Sequence, residues 1–154
     1  MPKTAAVTVY SMKVALKGQK SVWRLIELRG DQTLEDLHEA IFSAFERYDE
    51  HLYSFYLPKP GARGRSRLTG AKEFTHPSCV DGFGDQRDAS ETTLDDLRLR
   101  AGRKFEYLFD FGDSWWHEIT VESKSTAHDE GSYPRVVKER GKAPPQYPDP
   151  DEEF

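Results

Sequence analysis

One cysteine, Cys79, stands among the 154 residues, so no internal disulfide can form and a cysteine-rich zinc module is excluded. No run approaches the roughly 18 consecutive apolar residues that cross a bilayer, so no membrane partner is expected. The opening residues, Met1-Pro2-Lys3-Thr4-Ala5-Ala6-Val7, lack the apolar segment of a signal peptide, and a reducing cytoplasmic compartment is the expectation. A Gly-x-x-x-x-Gly-Lys-Ser/Thr phosphate loop is absent too. Gly82-Phe83-Gly84-Asp85 has no strand-to-helix junction around it. Excess positive charge is also missing: 22 Lys and Arg against 27 Asp and Glu give a formal net charge of −5. That balance argues against a protein that coats nucleic acid with its whole surface, while leaving room for a local basic patch.

What is present is aromatic. Nine Phe, seven Tyr and three Trp are too many for a disordered chain, although a mean hydropathy of −0.77 signals long polar stretches. The length predicts one domain over residues 1–154. Strand formers crowd Thr4 to Leu16 and again Val22 to Leu28, and Lys17-Gly18-Gln19-Lys20 between them predicts a hairpin turn. Leu34, Leu37, Ile41, Ala44, Phe45 and Tyr48 then fall on one helical face, with Thr33 and Asp36 in capping-box spacing. His51 to Leu57 reads as a strand stopped by Pro58 and Pro60. Thr93-Leu94-Asp95-Asp96-Leu97 repeats the capping pattern and predicts a second, short helix ending near Gly102.

Phe105, Tyr107, Phe109 and Phe111 alternate with polar or smaller residues, the period of a strand with one aromatic face. Gly112-Asp113-Ser114 is turn chemistry, and Trp115, His117, Ile119 and Val121 share one side of the strand that follows. This second hairpin is expected at the heart of the sheet, with Tyr133 to Val137 as an edge strand. The predicted architecture is therefore α+β: a mostly antiparallel sheet of about five strands, two hairpins among them, with two helices packed on one face.

Residues 59–92 hold five Gly, two Pro and many charges with little periodicity, which predicts a long functional or partly disordered loop. Within it, Lys59, Arg63, Arg65, Arg67 and Lys72 carry +5 with no intervening acid, leaving −10 on the other 140 residues. Arginines bind phosphates bidentately, and Gly61, Gly64 and Gly70 keep the backbone pliable. Tyr53, Phe55 or Trp115 on a neighbouring strand would supply stacking surfaces for bases. The plain alternative is a solvated loop.

Asp110, Asp113, His117 and His51 form the other constellation. Two carboxylates and two imidazoles suit a divalent metal or acid–base chemistry if they converge. Asp110 and Asp113 flank a tight turn, however, where Asp is favoured for its bonds to nearby backbone N–H groups, and His51 suits a cap beside a helix end. The structural reading is preferred, and no metal or cofactor is expected. His76 and Cys79, three apart, lack a second ligand pair. The tail from about residue 143 to 154, with Pro144, Pro145, Pro148 and Pro150 before Asp151-Glu152-Glu153, is extended and could be a polyproline ligand, but packing of Tyr147 and the prolines across the domain is the favoured reading.

The segment Asp110-Phe111-Gly112-Asp113-Ser114-Trp115, followed by His117-Glu118-Ile119, resembles the plasmid pRiA4b ORF-3-like family. The early hairpin, the Leu34-to-Tyr48 helix leading into His51-Leu52-Tyr53-Ser54-Phe55, and Tyr133-Pro134-Arg135 before a Pro-Pro pair extend the likeness over most of the chain. Many members follow that pair with Glu-Asp and a Cys-Gly-Gly-like stretch; this chain has Gln146-Tyr147 instead. The resemblance implies an α+β fold and an association with plasmids and insertion elements, some members being labelled insertion-element passengers or resolvase-like. A serine resolvase needs an N-terminal nucleophile with arginines around it, and Ser11 has none nearer than Arg24. The leading expectation is thus a non-catalytic accessory module contacting nucleic acid or an acidic partner through residues 59–72. The alternative is a small hydrolytic or metal-dependent enzyme using Asp110, Asp113 and His117.

Overall fold

A computed structural model describes residues 6–82, 84–127 and 131–147. Eight strands form a single mixed sheet: β1 (Val7–Leu16), β2 (Gln19–Arg29), β3 (Tyr53–Leu57), β4 (Lys72–Thr75), β5 (Arg87–Asp88), β6 (Lys104–Phe109), β7 (Trp115–Ala127) and β8 (Arg135–Arg140). Their order across the sheet is β5-β4-β3-β6-β7-β1-β2-β8, and all neighbours are antiparallel except β4 and β5. Among the described residues there is one α-helix, α1 (Leu34–Ala44). The expectation of about five strands and two helices is therefore corrected to eight strands and one helix.

Both hairpins form for the reasons the sequence suggested. Gly18, at φ +85°, makes the two-residue turn that pairs Leu16 with Gln19. β6 and β7 are two central strands, paired from Lys104 and Thr120 to Phe109 and Trp115. The additional strands come from the 59–92 segment, where β4 has four residues and β5 two, too short to show a period. Ser54 Oγ fixes β4 by bonding to Thr75 Oγ1 at 2.8 Å and Glu73 Oε2 at 2.7 Å. On the opposite margin every residue of β8 is exposed. Its mixed charges and the irregular register between Leu25 and Ile26 of β2 guard that edge against pairing with another chain.

The helix begins as predicted. Thr33 Oγ1 accepts from the Asp36 N–H at 3.1 Å, and Asp36 returns a bond to the Thr33 N–H at 2.9 Å. Leu34, Leu37, His38 and Ile41 are buried against the sheet. It stops a turn early, because the buried Arg24 of β2 donates Nε to the Ala44 carbonyl at 3.0 Å and Glu46 turns left-handed at φ 57°. Tyr48, predicted on the apolar face, is 71% exposed.

The second predicted helix is a single 3₁₀ turn, Asp95–Leu97. Thr93 and Asp96 do form reciprocal capping bonds of 3.0 and 3.1 Å, but Arg98 at φ 51° ends the turn at once. Its strong start signal lacks the apolar face needed to hold a longer helix. The two caps meet each other instead. Leu34 N–H bonds to the Thr92 carbonyl and Leu94 N–H to the Gln32 carbonyl, both at 2.9 Å.

The main hydrophobic cluster lies on the helix side of the sheet. Tyr10, Met12, Val14, Ile26, Phe55, Phe105, Tyr107, Phe109, Ile119 and Val121 join α1 there, with Phe55 and Tyr107 rings 4.7 Å apart. The other face carries Lys13, Lys17, Trp23, Tyr56, Glu106 and Trp116, and the basic loop folds onto it. Among the described residues no helix is long and apolar enough to cross a membrane.

Candidate functional site

The basic segment folds back on the sheet through one of its own cations. Arg67 donates both Nε and Nη2 to the buried Glu106 carboxylate of β6, which also accepts from Lys17 Nζ. Glu106 is desolvated, which favours the neutral acid, but the hydrogen bonds and charges of Arg67 and Lys17 outweigh this and hold its carboxyl below the usual range. Arg67 thus serves as the loop's anchor. Arg63 and Arg65 stay exposed around the 3₁₀ turn Gly64–Ser66.

Lys59 and Lys72, from the two ends of the loop, open onto a cleft of about 500 Å³. Two further cations from outside the 59–72 run line it: Arg87 from β5 and Arg103 from the turn before β6. Arg103 is fixed by a 2.6 Å bond from Nη2 to the Pro58 carbonyl. Leu57, Phe74 and Leu97 give the cleft an apolar floor, and Asp96 is its acidic residue. The Asp96 carboxylate is engaged by the Thr93 N–H, which lowers its pKa. Among the described residues no ion pair neutralises Lys59, Lys72, Arg87 or Arg103.

The stacking candidates move by one register position. Tyr53 and Phe55 are buried in the core, and Trp115 packs against that same core. Alternate positions on the neighbouring strands, Tyr56 and Trp116, occupy the loop-bearing face with ring centroids 5.6 Å apart and Lys17 Nζ 5.8 Å from the Trp116 ring.

The Asp110-to-Trp115 turn is built by its own first residue. Asp110 is left-handed at φ 63°, and its Oδ1 accepts from the N–H groups of Gly112 at 3.0 Å and Asp113 at 3.3 Å. Its other oxygen faces His51 Nε2 at 3.5 Å. Tyr147 closes this corner: its hydroxyl donates to Asp49 Oδ2 at 2.8 Å and lies 2.5 Å from His51 Nε2. The Asp49 bond and burial push the Tyr147 phenol up to about 12. Gln146 pins this C-terminal segment, accepting from the Tyr48 and Asp49 N–H groups and donating to the Asp49 carbonyl. Of the tail residues expected to pack across the domain, Tyr147 makes these contacts while staying 40% exposed, and residues 148–154, Pro148 and Pro150 among them, lie outside the described residues.

His117 does not join Asp110 and Asp113. It is fully buried, with Nδ1 3.3 Å from the Tyr107 carbonyl and Nε2 2.9 Å from Arg47 Nη2, whereas Asp113 is exposed. Desolvation first, and the Arg47 charge second, hold His117 neutral. Among the described residues no group of three His, Cys, Asp or Glu side chains is arranged to hold a metal. His76 Nδ1 accepts from the Ser78 N–H at 3.0 Å as a cap for the turn Pro77–Cys79, so His76 and Cys79 share a structural turn. Phe83 of the Gly82–Asp85 stretch is outside the described residues. Sequence reasoning missed Arg47, Arg87 and Arg103; Arg47 and Arg87 each sit beside an acidic residue, whereas Arg103 belongs to a second basic run, Arg98, Arg100, Arg103 and Lys104, that could have pointed to it.

The profile of plasmid pRiA4b ORF-3-like proteins matches residues 8–147. The chain belongs to that family. As a pRiA4b ORF-3-like protein it is 31% identical over 114 residues to the uncharacterized protein y4hQ of Sinorhizobium fredii (strain NBRC 101917 / NGR234), covering 73% of this chain and 52% of that protein. The chain thus spans about half the length of this curated relative. A crystal structure of a protein of unknown function, MM3350 from Methanosarcina mazei Go1, superposes with a TM-score of 0.72 at 24% identity. That likeness covers 92% of this chain and 74% of the other and shows a common fold. Part of the motif that carries the family resemblance meets at one corner: Asp110 with His51, and Trp115 and His117 around Arg47.

Proposed function

We propose that this pRiA4b ORF-3-like chain is a non-catalytic module that binds nucleic acid through the basic cleft at the foot of the 59–72 loop. The observation that carries this reading is the convergence of Lys59 and Lys72 from the two ends of the loop, Arg87 from β5 and Arg103 from the turn before β6 on one cleft. A charge run along a loop is ordinary; unneutralised cations brought together by tertiary structure around a concave surface are not. Phosphates bridging these side chains would release bound counterions, so affinity should fall with salt. Arg63 and Arg65 extend the positive field, while Arg67 holds the loop in place. A hydrolytic reading through Asp110, Asp113 and His117 draws no support from their separated positions.

The test is fluorescence anisotropy with labelled single- and double-stranded oligonucleotides between low and physiological salt. Contacts from four cations predict a log–log slope of about −3 to −4. The double variant R87Q/R103Q should weaken binding and flatten the slope by about two cation contacts, and K124Q, on a distant strand, should do neither. Absence of binding at low salt, or a slope untouched by R87Q/R103Q, would refute the reading. Capture of an acidic peptide in place of oligonucleotides would reassign the cleft to a protein partner.

A further inference from the structure

The signature turn encloses a charge that the basic cleft does not use. Arg47 is 7% exposed, and among the described residues no carboxylate lies within ion-pairing distance of it. Its Nη2 donates to His117 Nε2 at 2.9 Å. The direction follows from the other ring nitrogen: Nδ1 faces the Tyr107 carbonyl and carries the proton, leaving Nε2 as the acceptor. Rings of Phe45, Phe109 and Trp115 surround the guanidinium with centroids 5.3, 5.1 and 5.3 Å from its central carbon.

Those ring faces offset part of the charge, but they offer no lone pair to its N–H groups. Two donors remain. Arg47 Nη1 and Trp115 Nε1 are both sealed from solvent, and among the described residues neither has a hydrogen-bond partner. Native interiors leave few such groups unpaired, and an enclosed cation without a counter-charge is costlier than a neutral donor. Burial lowers the Arg47 pKa to about 10, still far above neutrality, so the charge persists. An enclosed water would accept from both donors yet leave the charge uncompensated. An anion would do both. A dianion would need a second cation, and His117, the nearest candidate, is neutral.

We propose that Arg47 and Trp115 form an enclosed binding site for a small monoanion, a carboxylate or a halide, held between Arg47 Nη1 and Trp115 Nε1 within aromatic walls. Trp115 is half-buried and directly follows the exposed residues Phe111 to Ser114, which makes its indole the outer wall. The site is separate from the basic cleft and stands or falls independently of nucleic-acid binding.

The indole N–H groups of Trp23, Trp115 and Trp116 give three signals in a ¹H–¹⁵N spectrum, and W115F identifies the one that belongs to the site. Sodium formate and, in a parallel arm, sodium chloride are titrated into the protein in a sulfate buffer of constant ionic strength. The expected result is a saturable shift of the Trp115 indole signal alone, with a rise in Tm at the same midpoint. Both changes should vanish in R47M, whose side chain keeps the length but loses the charge. Saturation by formate names a carboxylate site, and saturation by chloride alone names a halide site. A Trp115 signal that does not saturate with either anion, or that shifts in parallel with Trp23 and Trp116, overturns the proposal. The Trp23 and Trp116 signals serve as internal controls, so the titration decides even if R47M fails to fold.

Discussion

Glu106→Gln would cut the tether of the basic loop while preserving the shape of the side chain. The carboxylate is 5% exposed and receives Lys17 and both Arg67 donors, whose side chains are 26% and 34% exposed. Hydrogen bonds to a charged group each contribute about 1.5–3 kcal/mol. A fully buried pair that loses one partner costs about 3–5 kcal/mol, because the other charge is stranded. Here both cations can regain water, and glutamine keeps one acceptor oxygen, so the expected loss is smaller, about 2 kcal/mol. For a chain of this length that corresponds to a fall in Tm of about 4–8 °C.

Urea unfolding at pH 7 measures the loss, and the cycle of E106Q, R67M and the double variant isolates the pair, with an expected coupling of about 1 kcal/mol. Because the folded Glu106 pKa lies below its unfolded value, its stabilisation is complete above about pH 4.3. That contribution fades as pH falls through the folded pKa, so wild type and E106Q should converge in acid. Amide exchange in residues 62–71 should also accelerate in the variant, since the turn bonds from Ala62 to Lys59 and Arg67 to Gly64 lose their anchor. A loss below about 0.5 kcal/mol, or no coupling with Arg67, would show that the loop is held by its backbone alone.

Three further outcomes follow from single contacts. Asp36→Ala removes half of the α1 capping box and should cost about 1 kcal/mol in urea unfolding; an unchanged midpoint would mean the cap is redundant with the Thr92 contact. His38, buried and stacked on Tyr53 at 3.8 Å, has its pKa lowered to about 3, first by desolvation and then by the charges of His76 and Arg47. Its ring signals should therefore show no titration between pH 8 and 5, and stability should fall as pH drops below about 6.5, where the unfolded histidine takes up a proton; an NMR midpoint near 6.5 would refute this. Leu37→Ala, on the fully buried face of α1, should lose about 2–5 kcal/mol, and a smaller loss would indicate that the helix is loosely seated on the sheet.

The sequence was informative wherever the signal was local and long. Two hairpins and the start of α1 are legible because alternation, capping spacing and turn glycines act within a few residues. Three things were not. The strands β4 and β5 are too short to carry a period and exist through pairing with β3 and with each other. The second capping box promised a helix, but a start signal does not supply the buried face that sustains one. Tyr48 continued the apolar spacing of α1, yet Arg24 from another strand took the carbonyl that ends the helix.

Period-two alternation also separates the two faces of a strand without saying which one meets the core. In β3, Tyr53 and Phe55 share one face and Tyr56 takes the other; in the β6–β7 hairpin, Trp115 and Trp116 divide in the same way. Only the position of α1 decides that Tyr53 and Phe55 are core residues and that Tyr56 and Trp116 meet the loop. The same limit applies to charge. Residues 59–72 announce themselves as basic, but Arg67 turns inward to Glu106, while Arg87, beside Asp88, and Arg103, from a separate basic run at 98–104, complete the cleft. Local charge therefore marks the neighbourhood of the positive site and misassigns its members, since a field is summed in space and not along the chain. R87Q/R103Q is consequently the sharper probe. It removes cations that a surface loop alone would not require, and its failure to weaken oligonucleotide binding would return the 59–72 run to the status of a solvated loop.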